Sequence, residues 1–167
     1  MIQDITDKWK KESKPKKGNI KFLNYVISSD GERFDSSNSI LDFNVDDDIN
    51  VGTWFRNIFW GNCRFQAAVV YPQGKRSADI RVFGNCPFIN GDTIEIKTIK
   101  SKRKDGLVKR LREAQGQSEN VIIDISSFPY DEKQVRHELM RYLEKHKWLK
   151  VLAVKKDNQL LFAWKFN

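Results

Sequence analysis

An α+β fold, with an antiparallel sheet of four to six strands and helices packed mainly on one face, is expected from three features of this 167-residue chain. First, β-rich segments at residues 65–71, 79–83 and 93–98 are separated by the short turn sequences Pro72-Gln73-Gly74 and Asn90-Gly91-Asp92, the pattern of an antiparallel meander. Second, apolar residues recur at helical spacing in three polar stretches: Val51, Trp54, Phe55, Ile58 and Phe59; Leu107, Val108, Leu111 and Ala114; and Val135, Leu139, Tyr142 and Leu143. Third, two strand-like runs at 149–154 and 160–166 flank the turn Lys155-Lys156-Asp157-Asn158 and close the chain as a hairpin.

Taken in order, residues 1–18 are polar and lysine-rich, end at Pro15 and Gly18, and offer no face to bury. With a strand at 19–26 and a turn at 28–32, they make residues 1–37 an arm and leading strand ahead of a domain over 38–167. Residues 40–43 form a short strand. Asn44 and Asp46-Asp47-Asp48 then cap and charge the start of a helix running to about Trp60, with Gly61-Asn62 as its stop. After the meander come a helix over 105–117, a buried strand over 121–125 and a helix over 130–147.

The chain is long enough for one core. No apolar run approaches the roughly 18 residues that span a bilayer, and the first residues lack the apolar centre of a signal peptide. Cys63 and Cys86 have no partners at metal-ligand spacing, so neither a zinc site nor a disulfide framework is expected. A net charge of +8 makes polyanions the expected partners. The charge is concentrated: Lys97, Lys100, Lys102, Arg103, Lys104, Lys109, Arg110 and Arg112 fall within sixteen residues that hold one acid, Asp105. A second set, Lys8, Lys10, Lys11, Lys14, Lys16 and Lys17, marks the arm, where a solvated linker is the plainer reading.

Strand alternation puts Thr93, Glu95 and Lys97 on one face and Ile94 and Ile96 on the other. An exposed ion pair would account for Glu95 and Lys97 alone. Asp79, on the preceding strand, brings a second carboxylate beside them and makes a candidate site for phosphodiester chemistry, with the basic helix holding the backbone. A non-catalytic nucleic-acid-binding module, for which the basic helix suffices and the acids are incidental, is one reading; if the site is catalytic, two chemistries suit these residues. In one, Asp79 and Glu95 hold Mg²⁺ or Mn²⁺ and Lys97 stabilises the scissile phosphate, as in the PD-(D/E)xK nucleases, whose order of helix, three strands, helix, strand this segment resembles. In the other, RNA is cut without metal by attack of the ribose 2′-hydroxyl, with Lys97 stabilising the phosphorane and an acid orienting it or acting as base. His137 and His146, the two histidines, lie away from this cluster in the last helix.

The stretch from Ile40 through Asp46-Asp47-Asp48, Ser77-Ala78-Asp79 and Ile94-Glu95-Ile96-Lys97-Thr98, then the basic helix, Ala114-Gln115-Gly116-Gln117-Ser118 and the closing hairpin, resembles bacterial toxin nucleases. It is most similar to the C-terminal tRNase domains of contact-dependent growth inhibition proteins and related phage and mobile-element nucleases, grouped with barnase, the RNase colicins and RelE. The resemblance covers residues 38–167 and rests on the order of short motifs. It implies a barnase-like ribonuclease with a PD-(D/E)xK core as the alternative, a metal-independent activity aimed at transfer RNA, and delivery into the cytoplasm of a target bacterium. It also implies a cognate immunity protein, which charge complementarity makes acidic. By position, Asp79, Glu95, Lys97 and Thr98 fall in the cleft, and Lys100, Lys102, Arg103, Lys104, Lys109, Arg110 and Arg112, with Gln117 on the following helix, hold RNA. Ala78 stands where the PD-(D/E)xK pattern often has proline, and residues 85–91 lengthen the hairpin.

Overall fold

The computed structural model describes residues 1–13, 20–43, 46–58, 61–84, 86, 88, 89, 92–103 and 105–167. Lys104, the arm lysines Lys14, Lys16 and Lys17, the Asn44 cap, Phe59 with Trp60, and the Asn90-Gly91 turn lie outside the described residues, as do the side chains of Ile58 and Cys63.

Its elements are β1 (Ile2–Asp4), α1 (Thr6–Glu12), β2 (Ile20–Phe22), β3 (Tyr25–Ile27), β4 (Arg33–Asp35), β5 (Ile40–Asp42), α2 (Asp46–Ile58), β6 (Gly61–Phe65), β7 (Ala68–Tyr71), β8 (Ile80–Gly84), β9 (Thr93–Thr98), α3 (Gly106–Ala114), β10 (Asn120–Asp124), α4 (Glu132–Leu143), β11 (Val151–Lys156) and β12 (Gln159–Phe166). The α+β class holds, but the main sheet is larger than expected: eight strands in the order β1-β12-β11-β10-β9-β8-β6-β2. It is also mixed. The pairs β1–β12, β11–β12, β8–β9 and β6–β8 are antiparallel, whereas β9–β10, β10–β11 and β2–β6 are parallel. The physical reason lies in the connections. A helix between consecutive neighbouring strands returns the chain to the end where it began, so β9-α3-β10-α4-β11 must run parallel.

Helices cover both faces of the sheet, a second difference from expectation. On one side, Val51, Trp54 and Phe55 of α2 and Trp9 of α1 pack with Phe65, Ile80, Val82, Ile94, Ile96 and Ile122. On the other, Leu107 and Leu111 of α3 and Val135 and Leu139 of α4 pack with Val121, Ile123, Leu152 and Val154. An Asp131–Gln134 capping box starts α4, the Gln134 amide donating to Asp131 Oδ1 at 2.9 Å. Helix α2 passes so close to β6 that a Cβ on Gly52 would lie 2.5 Å from Phe65 Cζ.

The N-terminal residues correct the picture of a lead that buries nothing. β1 pairs with β12, and Trp9 is 0% exposed, stacked on Phe88 at 5.1 Å between ring centroids. Residues 65–71 are likewise not one strand: β6 ends at Phe65, and β7 turns away to pair with β5 in a two-stranded sheet, while β3 and β4 form another. Helix α4 stops at Leu143, leaving His146 beyond its end and stacked on Tyr142 at 4.3 Å.

Candidate active site

Between β8 and β9 the ladder is short. Ile80 pairs with Ile94 and Arg81 with Thr93, and beyond this point the Asp79 side chain takes the place of a backbone acceptor, Oδ2 receiving the Ile96 amide at 2.7 Å. Meanwhile the Asp79 carbonyl stays with β6, accepting from the Gln66 amide at 2.9 Å. The strands therefore splay at Asp79, and the expected neighbourhood of Asp79, Glu95 and Lys97 forms at that opening.

Glu95 is 1% and Lys97 8% exposed. A lysine is seldom so deeply buried unless paired, and the Lys97 ammonium donates to Glu95 Oε1. It also reaches Gln117 Oε1 at 3.3 Å, while Gln117 Nε2 donates to the Ser77 carbonyl at 3.4 Å. Gln117 thus ties the lysine to the lead-in of β8. The turn that places it follows α3, where Gly116 takes a φ of +85° and Arg76 Nη1 donates to the Gln115 carbonyl at 2.7 Å.

One ammonium serves more than one carboxyl group. Burial, and then the Asp79 charge, pushes Glu95 up to about 9, and burial raises Asp79 as well. The two share a hydrogen bond when one of them is protonated, and Glu95 Oε2 is otherwise buried without a donor among the described residues. A third acid comes from the opposite layer. Asp48, in the first turn of α2, feels both Asp79 and Lys97, and burial followed by the Asp79 charge pushes it up to about 7. An ion pair between Asp47 and Lys100 at 2.7 Å holds that turn against the end of β9. The cluster is therefore short of positive charge and compensates with protons. Among the described residues no three His, Cys, Asp or Glu side chains gather closely enough to hold a metal ion by themselves. The donors present are hard carboxylate oxygens, and Mg²⁺ commonly takes one or two such groups and completes its shell with waters and substrate phosphate.

The basic residues divide. Lys100, Arg103, Lys109 and Arg110 line a cavity of about 510 Å³ with Thr98 at the far end of β9, but Arg103 is paired with Asp105 and Arg110 with Glu113. Lys102 and Arg112 are exposed and stand outside that cavity. Thr98 faces away from Lys97 by strand alternation, and its hydroxyl is buried without a partner among the described residues. Neither histidine joins the cluster; both belong to α4 or the turn after it. Sequence reasoning missed Asp48, because within Asp46-Asp47-Asp48 nothing distinguishes the residue that turns inward.

No curated protein matches the chain. A solved structure described as a CdiA-CT/CdiI toxin and immunity complex from Burkholderia pseudomallei is similar over 87% of this chain and 98% of that one, at a TM-score of 0.49 and 9% identity. Residues 88–160 match the family model described as the contact-dependent growth inhibition CdiA C-terminal domain. Glu95, Lys97 and Gln117 fall within that match, and Asp48 and Asp79 precede it. That match runs from the lead into β9 to the start of β12, so the likeness to the CdiA C-terminal domain family lies in the segment that carries β9, α3, β10, α4 and β11.

Proposed function

We propose that this domain is the nuclease toxin of a contact-dependent growth inhibition system, cutting RNA, transfer RNA foremost, in the cytoplasm of a target bacterium, and that an acidic immunity protein neutralises it. The observation that carries the reading is the cluster of half-buried Asp79 with buried Glu95 and Lys97 in a gap between strands, with the Asp48 of α2 close enough to feel Asp79 and Lys97. Arg110 acts electrostatically on Asp79 and Asp48, and with Lys100, Arg103 and Lys109 it lines the cavity at the far end of β9, a place suited to a phosphate backbone. Within the main sheet, with β7 set aside in its separate two-stranded sheet, the order α2, β6, β8, β9, α3, β10 parallels the helix, three strands, helix, strand order of the metal-assisted alternative.

The crowding of acids favours that alternative over metal-free attack. A divalent cation there supplies charge neutralisation and a more acidic bound water. Asp79 and Glu95 would hold it, losing their shared proton as it enters, and Asp48 adds negative charge from the other layer. Lys97, fixed by Glu95 and Gln117, puts its ammonium where charge develops on the phosphate in the transition state. Burial strengthens that interaction, because little water competes with it.

The test is incubation of the protein with total tRNA, with Mg²⁺ or Mn²⁺ and with EDTA, followed by mapping of the ends. Cleavage with cation, lost in EDTA and absent in Lys97→Ala with an unchanged circular dichroism spectrum, is the expected result. Cyclic phosphate ends formed in EDTA would transfer the assignment to 2′-hydroxyl attack. An active Lys97→Ala protein would remove the site from either mechanism.

A further inference from the structure

The face of the sheet that carries Glu95 and Lys97 is covered by α3 and α4 over β10 to β12, with α3 reaching β9, and it carries the polar Arg81 and Arg64 over β8 and β6. Register defines what lies there. Val121 and Ile123 of β10 stand beside Glu95 and Lys97, Thr93 beside Arg81, and Arg81 directly opposite Arg64. Two guanidinium groups side by side on neighbouring strands repel one another. Among the described residues neither forms an ion pair, and the Nε of each is buried without an acceptor. Arg64 rests over the Phe83 ring, 4.3 Å from its centroid, an arrangement that leaves its hydrogen-bonding edge uncommitted.

Arg81 also lines a cavity of about 650 Å³ that runs from Ala78 and Gln117, beside the acid cluster, to Lys147 and Trp148 in the turn before β11. That volume is in the range of small-molecule sites. Trp148 is half-buried, and its indole Nε1 is a third buried donor without an acceptor. The acids at this cavity are committed elsewhere: Glu119 pairs with Lys150, and Asp92 Oδ1 accepts the Thr93 amide at 2.8 Å. An acceptor-rich anion joined to a flat ring matches the chemistry of Arg81 and Trp148 in this lining.

We propose that this cavity seats the nucleotide next to the scissile phosphate, with Arg81, backed by Arg64, on that nucleotide's own phosphate and Trp148 against its base. The inference rests on the nuclease reading and extends it from a cutting site to a two-part strand-binding site. The scissile phosphate lies at Lys97, and the neighbouring nucleotide lies along the uncovered sheet toward the α4–β11 turn. A phosphate at the Arg81 guanidinium offsets the repulsion between Arg81 and Arg64, and an indole face gives base stacking without demanding a sequence.

The experiment measures anisotropy of a fluorescent twelve-nucleotide single-stranded RNA against the Lys97→Ala protein at several salt concentrations. Arg81→Gln in that background is expected to weaken binding and to make the dependence of log Kd on log salt shallower by about 0.7, one phosphate contact on a single strand. Trp148→Leu, which keeps apolar bulk but has no aromatic face, is expected to weaken binding on the order of tenfold at unchanged slope. Trp148→Phe should restore most of that loss. Melting curves for each variant separate lost binding from lost folding, and Arg81→Lys, which keeps the charge, stands in if Arg81→Gln does not fold. Parent affinity and slope in both the Arg81 and Trp148 variants would overturn the proposal. The active chain makes the two readings separable. Cleavage with parent KM in Arg81→Gln and Trp148→Leu sinks the subsite alone, whereas failure to cleave any nucleic acid while both variants still weaken binding sinks the nuclease reading alone.

Discussion

At the scale of the residue, Glu95 combines three properties that rarely coincide: it is 1% exposed, it is ion-paired to Lys97, and it is nonetheless pushed up to about 9 by burial and the Asp79 charge. The pairing is insufficient because a single ammonium faces Asp79 as well, so a proton remains on the acid pair at neutral pH. Glu95→Gln keeps the shape of the protonated acid and removes its ability to become a second anion. Its expected outcome is a folded protein that has lost cation-supported cleavage by a factor of roughly 100 or more, since one hard ligand and one unit of attraction for the cation disappear together. Cleavage of total tRNA over a Mn²⁺ titration measures it, and undiminished cleavage by Glu95→Gln at every Mn²⁺ concentration would exclude Glu95 as a ligand.

At the scale of the element, the close contact of α2 with β6 positions Asp48 at the gap between β8 and β9. Gly52 makes it possible: the Phe65 ring, 1% exposed, fills the space a side chain would occupy. In an open helix Gly52→Ala would gain about 1 kcal/mol from helix propensity. Here the Cβ meets the ring at 2.5 Å, and overpacking of a filled core costs about 1–3 kcal/mol, so a net loss of stability is expected. Chemical denaturation of Gly52→Ala, and of Gly52→Ala with Phe65→Leu, checks this, because trimming the ring should recover part of the loss if the clash is its cause. This scale also explains what could be read in advance. Glu95 and Lys97 were legible because strand alternation is local, and Asp79 because a turn puts it on the neighbouring strand. Asp48 required knowing which way α2 lies over the sheet. Arg81 looks like any strand cation until one knows that α3 and α4 stop short of β8. Trp9 was hidden for a simpler reason: in a helix of 7 residues, Trp9 with Ile5 just ahead of the helix is too little to show a period.

At the scale of the whole molecule, three acids with raised proton affinity make folding itself depend on pH. The sign follows from proton counts. Between the ordinary value of 4.5 and about 9, Glu95 holds a proton in the folded chain that the unfolded chain has released, and Asp48 does the same between 3.8 and about 7. The folded state binds more protons over that window, so stability is greatest near the acid end and declines as pH rises toward 9. The decline should be steepest between the ordinary carboxyl range and 7, where both groups contribute, and shallower from 7 to 9, where Glu95 acts alone. A divalent cation bound by Asp79 and Glu95 replaces the retained proton, so it should oppose this decline. Thermal melting in buffers from pH 5 to 9 is expected to show Tm falling with pH in EDTA, with a rise on adding Mn²⁺ that grows toward alkaline pH as fewer protons compete for the site. In Glu95→Gln both the part of the slope from Glu95 and most of the Mn²⁺ response should vanish. A Tm that rises between pH 5 and 9 without cation would contradict the buried acid cluster, and a Mn²⁺ response unchanged by Glu95→Gln would place the cation elsewhere.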